Sequence, residues 1–406
     1  MKNHQFIVAL LLIFLLSGCS KIYEKTEDGI RISLKQSAPY DVRTIQLQVL
    51  SNDIIRVTAS PSKKSRLTPG IMCSYVNTLK SGCKSTRHGD SVLLETPSVK
   101  AQVSTITGGI TFTDSVGNVL LQEKKGGGKT FSPISMDGHE GYTYRQIFES
   151  PMDEAFYGLG QHQSDEFNYK GKNETLYQYN TKVSVPFLVS NKHYGLLWDN
   201  YSLTRFGNPR DYANLDLFRL YDKNGKYGGL TATYMIDKSP DNVFVERKET
   251  AIDYENIETV KNFPKDFPFN NSAITWEGYI QPVETGTYHF KLYYAGYTKV
   301  YLDDSLVVPE RWRTAWNPNS YKFTARLISG QKHKLRLEWK PDGGISYIGL
   351  KVLSPVPETE QNKLSLWSEM GKQLDYYFIH GSTADQIISG YRSVTGKAQV
   401  MPKWAM

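Results

Sequence analysis

The chain has 406 residues, of which 39% are hydrophobic, 22% are charged and 13% are aromatic. This composition supports two or three domains with ordinary cores and is too polar for a protein with several membrane spans. The net charge of +7 comes from 48 basic and 41 acidic residues that are interspersed along the chain, which argues against a nucleic-acid partner. The 27 tyrosines and 7 tryptophans combine flat apolar faces with hydrogen-bonding edges, and such side chains suit both β-strands and sugar surfaces.

The first twenty residues have the pattern of an export signal. Lys2 precedes the apolar run Phe6–Leu16, which is too short to span a bilayer as a helix. The tetrapeptide Leu-Ser-Gly-Cys that ends at Cys19 resembles a bacterial lipobox, in which the cysteine becomes the lipidated first residue. The sequence therefore predicts a signal peptide over residues 1–19, a lipid anchor in the membrane and a cell-envelope location, periplasmic or at the outer surface. The alternative is an ordinary secretory signal with an incidental cysteine.

Two further cysteines, Cys73 and Cys83, flank a stretch rich in Ser, Gly and Lys. An exported compartment allows them to form a small surface disulfide, and two free thiols are almost equally expected. No metal-ligand spacing such as C-x-x-C is present, and we predict no metal and no other cofactor.

Short strand-like segments follow one another from residue 30 onward. In each of them β-branched residues alternate or cluster, and Asn, Asp, Gly and Pro lie between them. Clear examples are Ile30–Leu34, Ile45–Val49, Ile54–Val57 and Val99–Val103. This spacing is typical of an antiparallel β-sandwich, so the sequence predicts an all-β fold.

A run of motifs begins at residue 156. The stretch 156–162, Phe-Tyr-Gly-Leu-Gly-Gln-His, is followed by Asn180-Thr181, by Val-Pro-Phe at 185–187 and by Tyr-Gly-Leu-Leu-Trp-Asp-Asn at 194–200. These segments, in this order, resemble the N-terminal β-sandwich of glycoside hydrolase family 31. The resemblance implies that residues 20–223 form the first part of this sandwich.

A second unit is predicted as an insertion over residues 224–355. It follows a turn-rich break at 222–226, and its segments 274–280 and 286–292 alternate aromatic with polar residues. This part resembles the β-sandwich module named after anthrax protective antigen. The fold class is therefore all-β, an antiparallel sandwich interrupted by a second, inserted sandwich.

Some members of that module family bind calcium through two adjacent aspartates ahead of one strand. Here the corresponding position has Ala295-Gly296-Tyr297. Asp303 and Asp304 fall instead where a turn is expected, and turn aspartates usually bond to nearby backbone. We therefore predict no calcium site.

The loop Glu310–Asn319 is the distinctive part of the insertion. Trp312 and Trp316 offer flat faces for pyranose rings, while Arg313 and Asn317 offer donors for hydroxyl groups. In the other interpretation both tryptophans plug an open edge of the sandwich. The loop resembles the inserted module of α-xylosidases that act on xyloglucan oligosaccharides, which favours sugar binding.

Two further candidate sugar ligands come from the resemblance to family 31. In that family a loop of the N-terminal sandwich contributes to the rim of the active site. The segment Leu176–Asn180 matches that loop best, so Gln178 and Asn180 are candidate sugar ligands. The alternative is that they only form an Asx-type turn.

After a proline-bearing linker, residues 356–381 are predicted to return to the first sandwich as its last strand. Residues 383–396 have the pattern of a capped helix that ends at a glycine, with Ile387, Ile388, Tyr391 and Val394 on one face. The segment 382–406 resembles the start of a catalytic barrel that the remaining residues are too few to complete.

The family's retaining mechanism uses two carboxylates, which lie on later barrel strands, and no acidic residue here occupies a matching segment. We therefore predict no catalytic residue in this chain. The leading hypothesis is the non-catalytic front portion of an exported α-xylosidase that acts on xyloglucan-like oligosaccharides, inactive alone. The alternative is a stand-alone carbohydrate-binding lipoprotein.

Overall fold

In a computed structural model, the described residues are 22–63, 70–73, 83–162, 164, 166–180, 182–255, 263–269, 271–316, 320–343, 345–361 and 363–398. The predicted lipidation site Cys19, the predicted sugar ligand Asn317 and the last residues of the predicted barrel entry, 399–406, lie outside them. The export signal and the anchor therefore stay predictions.

The first sandwich consists of two antiparallel sheets. In spatial order, the described strands of one sheet are β1 (Tyr23–Thr26), β2 (Gly29–Ser33), β3 (Thr44–Ser51), β4 (Ile54–Ser60), β29 (Leu374–His380), β15 (Tyr194–Trp198), β14 (Val183–Ser190) and β12 (Phe156–Gln161). Those of the other are β13 (Glu174–Leu176), β16 (Thr204–Phe206), β28 (Lys363–Gly371), β11 (His139–Glu149), β9 (Val119–Glu123), β8 (Ile110–Asp114), β7 (Val99–Ser104), β6 (Ser91–Glu95) and β5 (Lys84–His88). Strand β10 (Lys129–Met136) pairs with β11 beside this order.

The period-two pattern explains why these segments become strands that share one core. On β7, Val99, Ala101 and Val103 are fully buried, while Lys100 and Gln102 point away from the core. Alternate side chains of a strand face opposite sides of its sheet, so each strand delivers one apolar row to the interior. The all-β prediction is confirmed.

The second sandwich has the same architecture on a smaller scale. In the described part of the chain, one of its sheets has the order β19 (Val243–Glu249), β18 (Leu230–Ile236), β21 (Ser272–Gln281), β26 (His333–Lys340), β23 (Gly296–Leu302) and β24 (Ser305–Arg313), with β17 (Arg219–Asp222) also paired to β21. The facing sheet has the order β20 (Ile252–Tyr254), β27 (Ile348–Leu353), β22 (Gly286–Tyr294) and β25 (Tyr321–Leu327). Short 3-10 helices lie at Leu215–Leu217 and Glu358–Glu360.

The second sandwich begins earlier than residue 224. Leu215 and Leu220 are buried in its core, and Ala213 exchanges backbone hydrogen bonds with Val352 on β27. The turn-rich break after Asp222 closes a hairpin inside this sandwich, because the amide of Asp222 bonds to the carbonyl of Lys226. A turn within a domain and a linker between domains share the same composition, and sequence alone did not separate them.

A buried carboxylate organises the core of the second sandwich. Glu249 accepts hydrogen bonds from Tyr234 Oη at 2.5 Å, Tyr254 Oη at 2.8 Å, Trp276 Nε1 at 2.7 Å and Arg247 Nε at 2.6 Å. Burying a carboxylate is tolerated only where donors replace its water shell. Glu249 has these donors, so its role here is structural.

Two strands, β28 and β29, return to the first sandwich after the insertion, and helix α1 (Ala384–Thr395) follows. Thr383 caps the helix by accepting from the amide of Gln386, and Gly396 ends it at φ 88°, as predicted. Ile387 and Val394 are buried against the outer face of the sheet, whereas Ile388 is exposed, since the helix presents only a narrow stripe. Within the described residues no helix is long and apolar enough to cross a membrane.

Candidate functional site

A cleft of about 520 Å³ opens between the two sandwiches. The first sandwich contributes residues around β13 and the connection that leads out of β16. The second contributes the outer face of β22, β25 and β27 and the loop after β24. The lining residues are His162, Ser164, Asn173, Glu174, Thr175, Tyr177, Tyr179, Lys182, Arg205, Phe206, Asn208, Arg210, Asp211, Tyr212, Glu255, Lys291, Tyr293, Ala315, Ser320, Lys322, Tyr347 and Lys351.

Glu174 lies where the two sandwiches meet in this cleft. Its Oε1 accepts from Lys182 Nζ at 2.9 Å within the first sandwich, and its Oε2 accepts from Lys322 Nζ at 2.8 Å on β25 of the second. Burial alone raises the pKa of Glu174, but the two ammonium groups outweigh burial and lower the pKa to about 2. Glu174 is therefore an anion at neutral pH and links the two sandwiches.

His162 lies beside Glu174 in the lining of the cleft. Its Nε2 lies 2.7 Å from the carbonyl of Leu159, and its Nδ1 lies 3.8 Å from Glu174 Oε1. Burial lowers the pKa of His162 although Glu174 acts in the opposite direction. A neutral imidazole then donates to Leu159 from Nε2, which leaves Nδ1 as an acceptor.

Tyrosine rings supply much of the remaining wall. The rings of Tyr177 and Tyr179 lie 4.7 Å apart, with Lys182 Nζ 5.4 Å from the centre of the Tyr177 ring. Across the cleft, Tyr347 Oη donates to the carbonyl of Ala315 at 3.2 Å. Rings with polar edges, beside several cations, make a surface that can stack on a sugar and bond to its hydroxyl groups.

The two loops predicted to bind sugar approach each other at the rim of this cleft. Arg313 is only 6% exposed; its guanidinium lies 5.0 Å from the Tyr294 ring centre and interacts electrostatically with Tyr179 across the cleft. Trp316 is 75% exposed and follows Ala315, which lines the cleft. The sequence thus selected two segments that the fold brings together.

The two tryptophans of the loop Glu310–Asn319 lie at the surface of the second sandwich. Trp312 is 55% exposed and donates from Nε1 to Asp342 at 2.6 Å. Both loop tryptophans are solvent-exposed, and the tryptophans that fill the core of this sandwich are Trp276 and Trp339. Plugging the sandwich is therefore not the role of Trp312 or Trp316 in this structure.

Gln178 closes its own turn, because its side chain donates to the carbonyl of Lys182 at 2.8 Å and accepts from the amide of Ser184 at 3.0 Å. Asn180 is exposed in the same turn and does not line the cleft. The neighbours Tyr177, Tyr179 and Lys182 line it instead. The sequence signal for the two tyrosines was their alternation with polar residues, since alternate side chains of an extended segment lie on the same side.

The cysteines and the paired aspartates have structural positions. Cys73 and Cys83 are free thiols that pack against different apolar clusters, so the disulfide that the sequence left open is not formed here. Asp303 and Asp304 occupy the turn between β23 and β24 with φ of 49° and 60°, as expected for a hairpin turn. Among the described residues, no group of three or more His, Cys, Asp or Glu is placed to hold a metal ion.

The protein belongs to the class in which one antiparallel β-sandwich is inserted into another. A family model described as the glycosyl hydrolase 31 N-terminal galactose mutarotase-like domain matches residues 44–206, and the PA14 domain model matches residues 219–353. The chain therefore carries the N-terminal domain of glycoside hydrolase family 31 with an inserted PA14 domain.

Comparisons with individual proteins agree with this assignment. The crystal structure of the GH31 α-xylosidase from Xanthomonas citri is 39% identical, with a TM-score of 0.85 over 94% of this chain and 41% of that chain. The α-xylosidase of Saccharolobus solfataricus is 30% identical over 169 residues, which are 39% of this chain and 22% of that protein. An uncharacterized family 31 glucosidase of Pseudescherichia vulneris is 31% identical over 134 residues, 28% of this chain and 25% of that protein. The chain thus spans less than half the length of these relatives.

Proposed function

We propose that this chain is the non-catalytic, substrate-contacting part of an exported α-xylosidase that acts on xyloglucan-like oligosaccharides. The observation that carries the proposal is the similarity to the α-xylosidase of X. citri, which runs through both sandwiches. In this proposal the cleft between the sandwiches holds the part of the oligosaccharide that is not cleaved. Export and anchoring rest on the lipobox-like sequence before Cys19.

The aromatic side chains at the cleft suit the rings of a sugar chain. Tyr177 lines the cleft with a partly exposed ring, and the exposed Trp316 directly follows the lining residue Ala315. Aromatic faces bind the C–H faces of pyranose rings. The open shape provides a few stacking contacts rather than full enclosure, so we expect weak binding, on the order of a millimolar dissociation constant.

Hydrolysis requires a pair of free carboxyl groups, and in the described lining of the cleft the acidic residues are engaged by cations. Retaining glycosidases need two carboxyl groups roughly 5 Å apart, one as nucleophile and one as acid/base. The three acidic residues that line the described cleft are each close to a cation, Glu174 to two lysines, Asp211 to Arg205 at 2.8 Å and Glu255 to Lys351 at 4.0 Å. We therefore propose that the 406-residue chain binds oligosaccharide without cleaving it.

A second candidate is a carbohydrate-binding lipoprotein that works without a catalytic partner. It is favoured by the fact that both walls of the cleft come from this one chain. The two candidates share the binding step and differ in whether a barrel completes the protein.

The binding step is tested by titrating the purified chain with a neutral xyloglucan heptasaccharide in a calorimeter. Binding that weakens at least fivefold in Trp316→Ala and Tyr177→Ala supports the cleft. Tyr201→Ala is the matched control, because Tyr201 is 73% exposed and lies outside the cleft. Absence of binding in the wild-type chain, or equal weakening by all three variants, contradicts the proposal, and so does turnover of an aryl α-xyloside that follows the purified protein.

A further inference from the structure

Three lysines form a row across the sheet that faces the cleft. Lys291 on β22 is paired in register with Lys322 on β25 and with Lys351 on β27. Residues paired across neighbouring strands share one face of the sheet, and all three lysines line the cleft. Like charges at directly opposed positions are destabilising, so the row has a cost unless anions compensate it.

The two outer lysines are compensated within the chain. Lys322 bonds to Glu174 at 2.8 Å, and Lys351 lies 3.1 Å from Asp253 Oδ2 and 4.0 Å from Glu255. Each of these lysines therefore has an anion within direct contact.

The middle lysine differs from its neighbours. Among the described residues no carboxylate forms an ion pair with Lys291, whose Nζ instead lies 5.3 Å from the centre of the Tyr212 ring. Burial lowers the pKa of Lys291, and the charges of Lys322 and Lys351 lower it further, while the charge of Glu255 acts in the opposite direction without preventing the decrease. Lys291 is thus a half-buried cation beside two other cations, and an anion from outside relieves this repulsion.

The rest of the cleft also carries an excess of positive charge. Its described lining carries six basic side chains against three acidic ones. Asn208 adds a donor, since its Nδ2 is buried without a hydrogen-bond partner while its Oδ1 accepts from Arg210. An excess of cations with an unfilled donor fits a ligand that brings negatively charged acceptor oxygens.

We propose that the cleft recognises a carboxylate carried by the bound oligosaccharide, as in a uronic acid unit, with Lys291 as its counter-ion. The proposal rests on the proposed function, because the tyrosine walls are taken to hold the sugar rings. Inorganic phosphate shares the anionic chemistry and lacks the rings, so the two ligands separate the contribution of charge from that of the sugar.

The experiment compares two matched ligands on the full chain by calorimetry at low ionic strength. One is a neutral xyloglucan heptasaccharide and the other is the same oligosaccharide with a free glucose C6 hydroxyl oxidised to a carboxylate. We expect the acidic ligand to bind about tenfold more tightly, the effect of one charge-assisted hydrogen bond. We expect this preference to shrink in 0.5 M NaCl because salt screens a partly open site.

Substitutions of Lys291 test whether this residue causes the preference for the acidic ligand. Lys291→Gln should bring the two affinities together, Lys291→Arg should keep the preference, and Lys238→Gln, an exposed lysine of the same sandwich outside the cleft, should leave it unchanged. Equal binding of both ligands by the wild-type chain overturns the carboxylate proposal and leaves neutral-sugar binding standing, whereas no binding of either overturns both. Phosphate binding as tight as that of the acidic oligosaccharide also overturns the carboxylate proposal, because the site then binds any small anion.

Discussion

Lys322 of the second sandwich donates to Glu174 of the first at 2.8 Å. The same ammonium group also donates to the carbonyl of Asn173 at 2.7 Å. Lys182 occupies the other carboxylate oxygen of Glu174 at 2.9 Å, so one buried anion is shared by cations from both sandwiches. The width of the cleft therefore depends on an ion pair as well as on the covalent connections.

The first prediction concerns the loss of the Glu174 carboxylate. Glu174→Gln leaves the ammonium groups of Lys182 and Lys322 close together without a counter-charge, and breaking one side of a buried ion pair typically costs about 3–5 kcal/mol. We expect a loss of this order in the free energy of urea unfolding. The control is Glu255→Gln, because the Glu255 side chain is 77% exposed and surface pairs contribute about 0–1 kcal/mol. Equal and small losses in both variants contradict the role of Glu174.

The second prediction concerns pH. The pKa of Glu174 is lowered to about 2 from an ordinary value of 4.5, so the folded state binds its proton less readily than the unfolded chain. The stabilisation is therefore fully present above pH 4.5 and is lost as the pH falls toward 2. The difference in thermal midpoint between wild type and Glu174→Gln should narrow over this window. A difference that stays constant from pH 6 to pH 3 contradicts the ion pair.

The sandwiches were predictable because strand periodicity is local. The alternation of Val99, Ala101 and Val103 with polar residues shows directly which side chains face a core. Residues 156–161 of the motif form β12 in the first sandwich. The helix was predictable for the same reason, since its cap at Thr383 and its final glycine are neighbours in sequence.

The cleft was only half predictable, because it depends on how one sandwich docks on the other. The two loops that the sequence singles out lie beside the cleft, but the row formed by Lys291, Lys322 and Lys351 depends on strand register. Positions far apart in sequence become neighbours only through that register. Gln178 was selected for its chemistry, yet its donors and acceptors are used within its own turn.

The third prediction concerns the membrane anchor, which rests on sequence alone. Cys19→Ala should move the protein from the membrane fraction to the soluble fraction, because it removes the thiol that would carry the lipid. Wild type grown with a labelled fatty acid should carry the label, and the variant should not. Equal membrane fractionation of both proteins contradicts the assignment and favours an ordinary secretory signal.

The fourth prediction tests the buried carboxylate of the second sandwich. Glu249→Gln replaces one acceptor oxygen with an amide donor, which then opposes the donors among Tyr234, Tyr254, Trp276 and Arg247 that now converge on the carboxylate. An unsatisfied buried polar group costs about 1–3 kcal/mol, and more where a charge is involved, so we expect a loss of at least about 2 kcal/mol in the free energy of unfolding. Glu246→Gln on the same strand is the control, because Glu246 is exposed and pairs with Lys223, and surface substitutions usually change stability by less than about 0.5 kcal/mol. Tryptophan fluorescence is the suitable probe, since Trp276 lies in the network and should report the unfolding of this sandwich. If Glu249→Gln unfolds at the same urea concentration as Glu246→Gln, the convergence of these four donors does not stabilise the second sandwich.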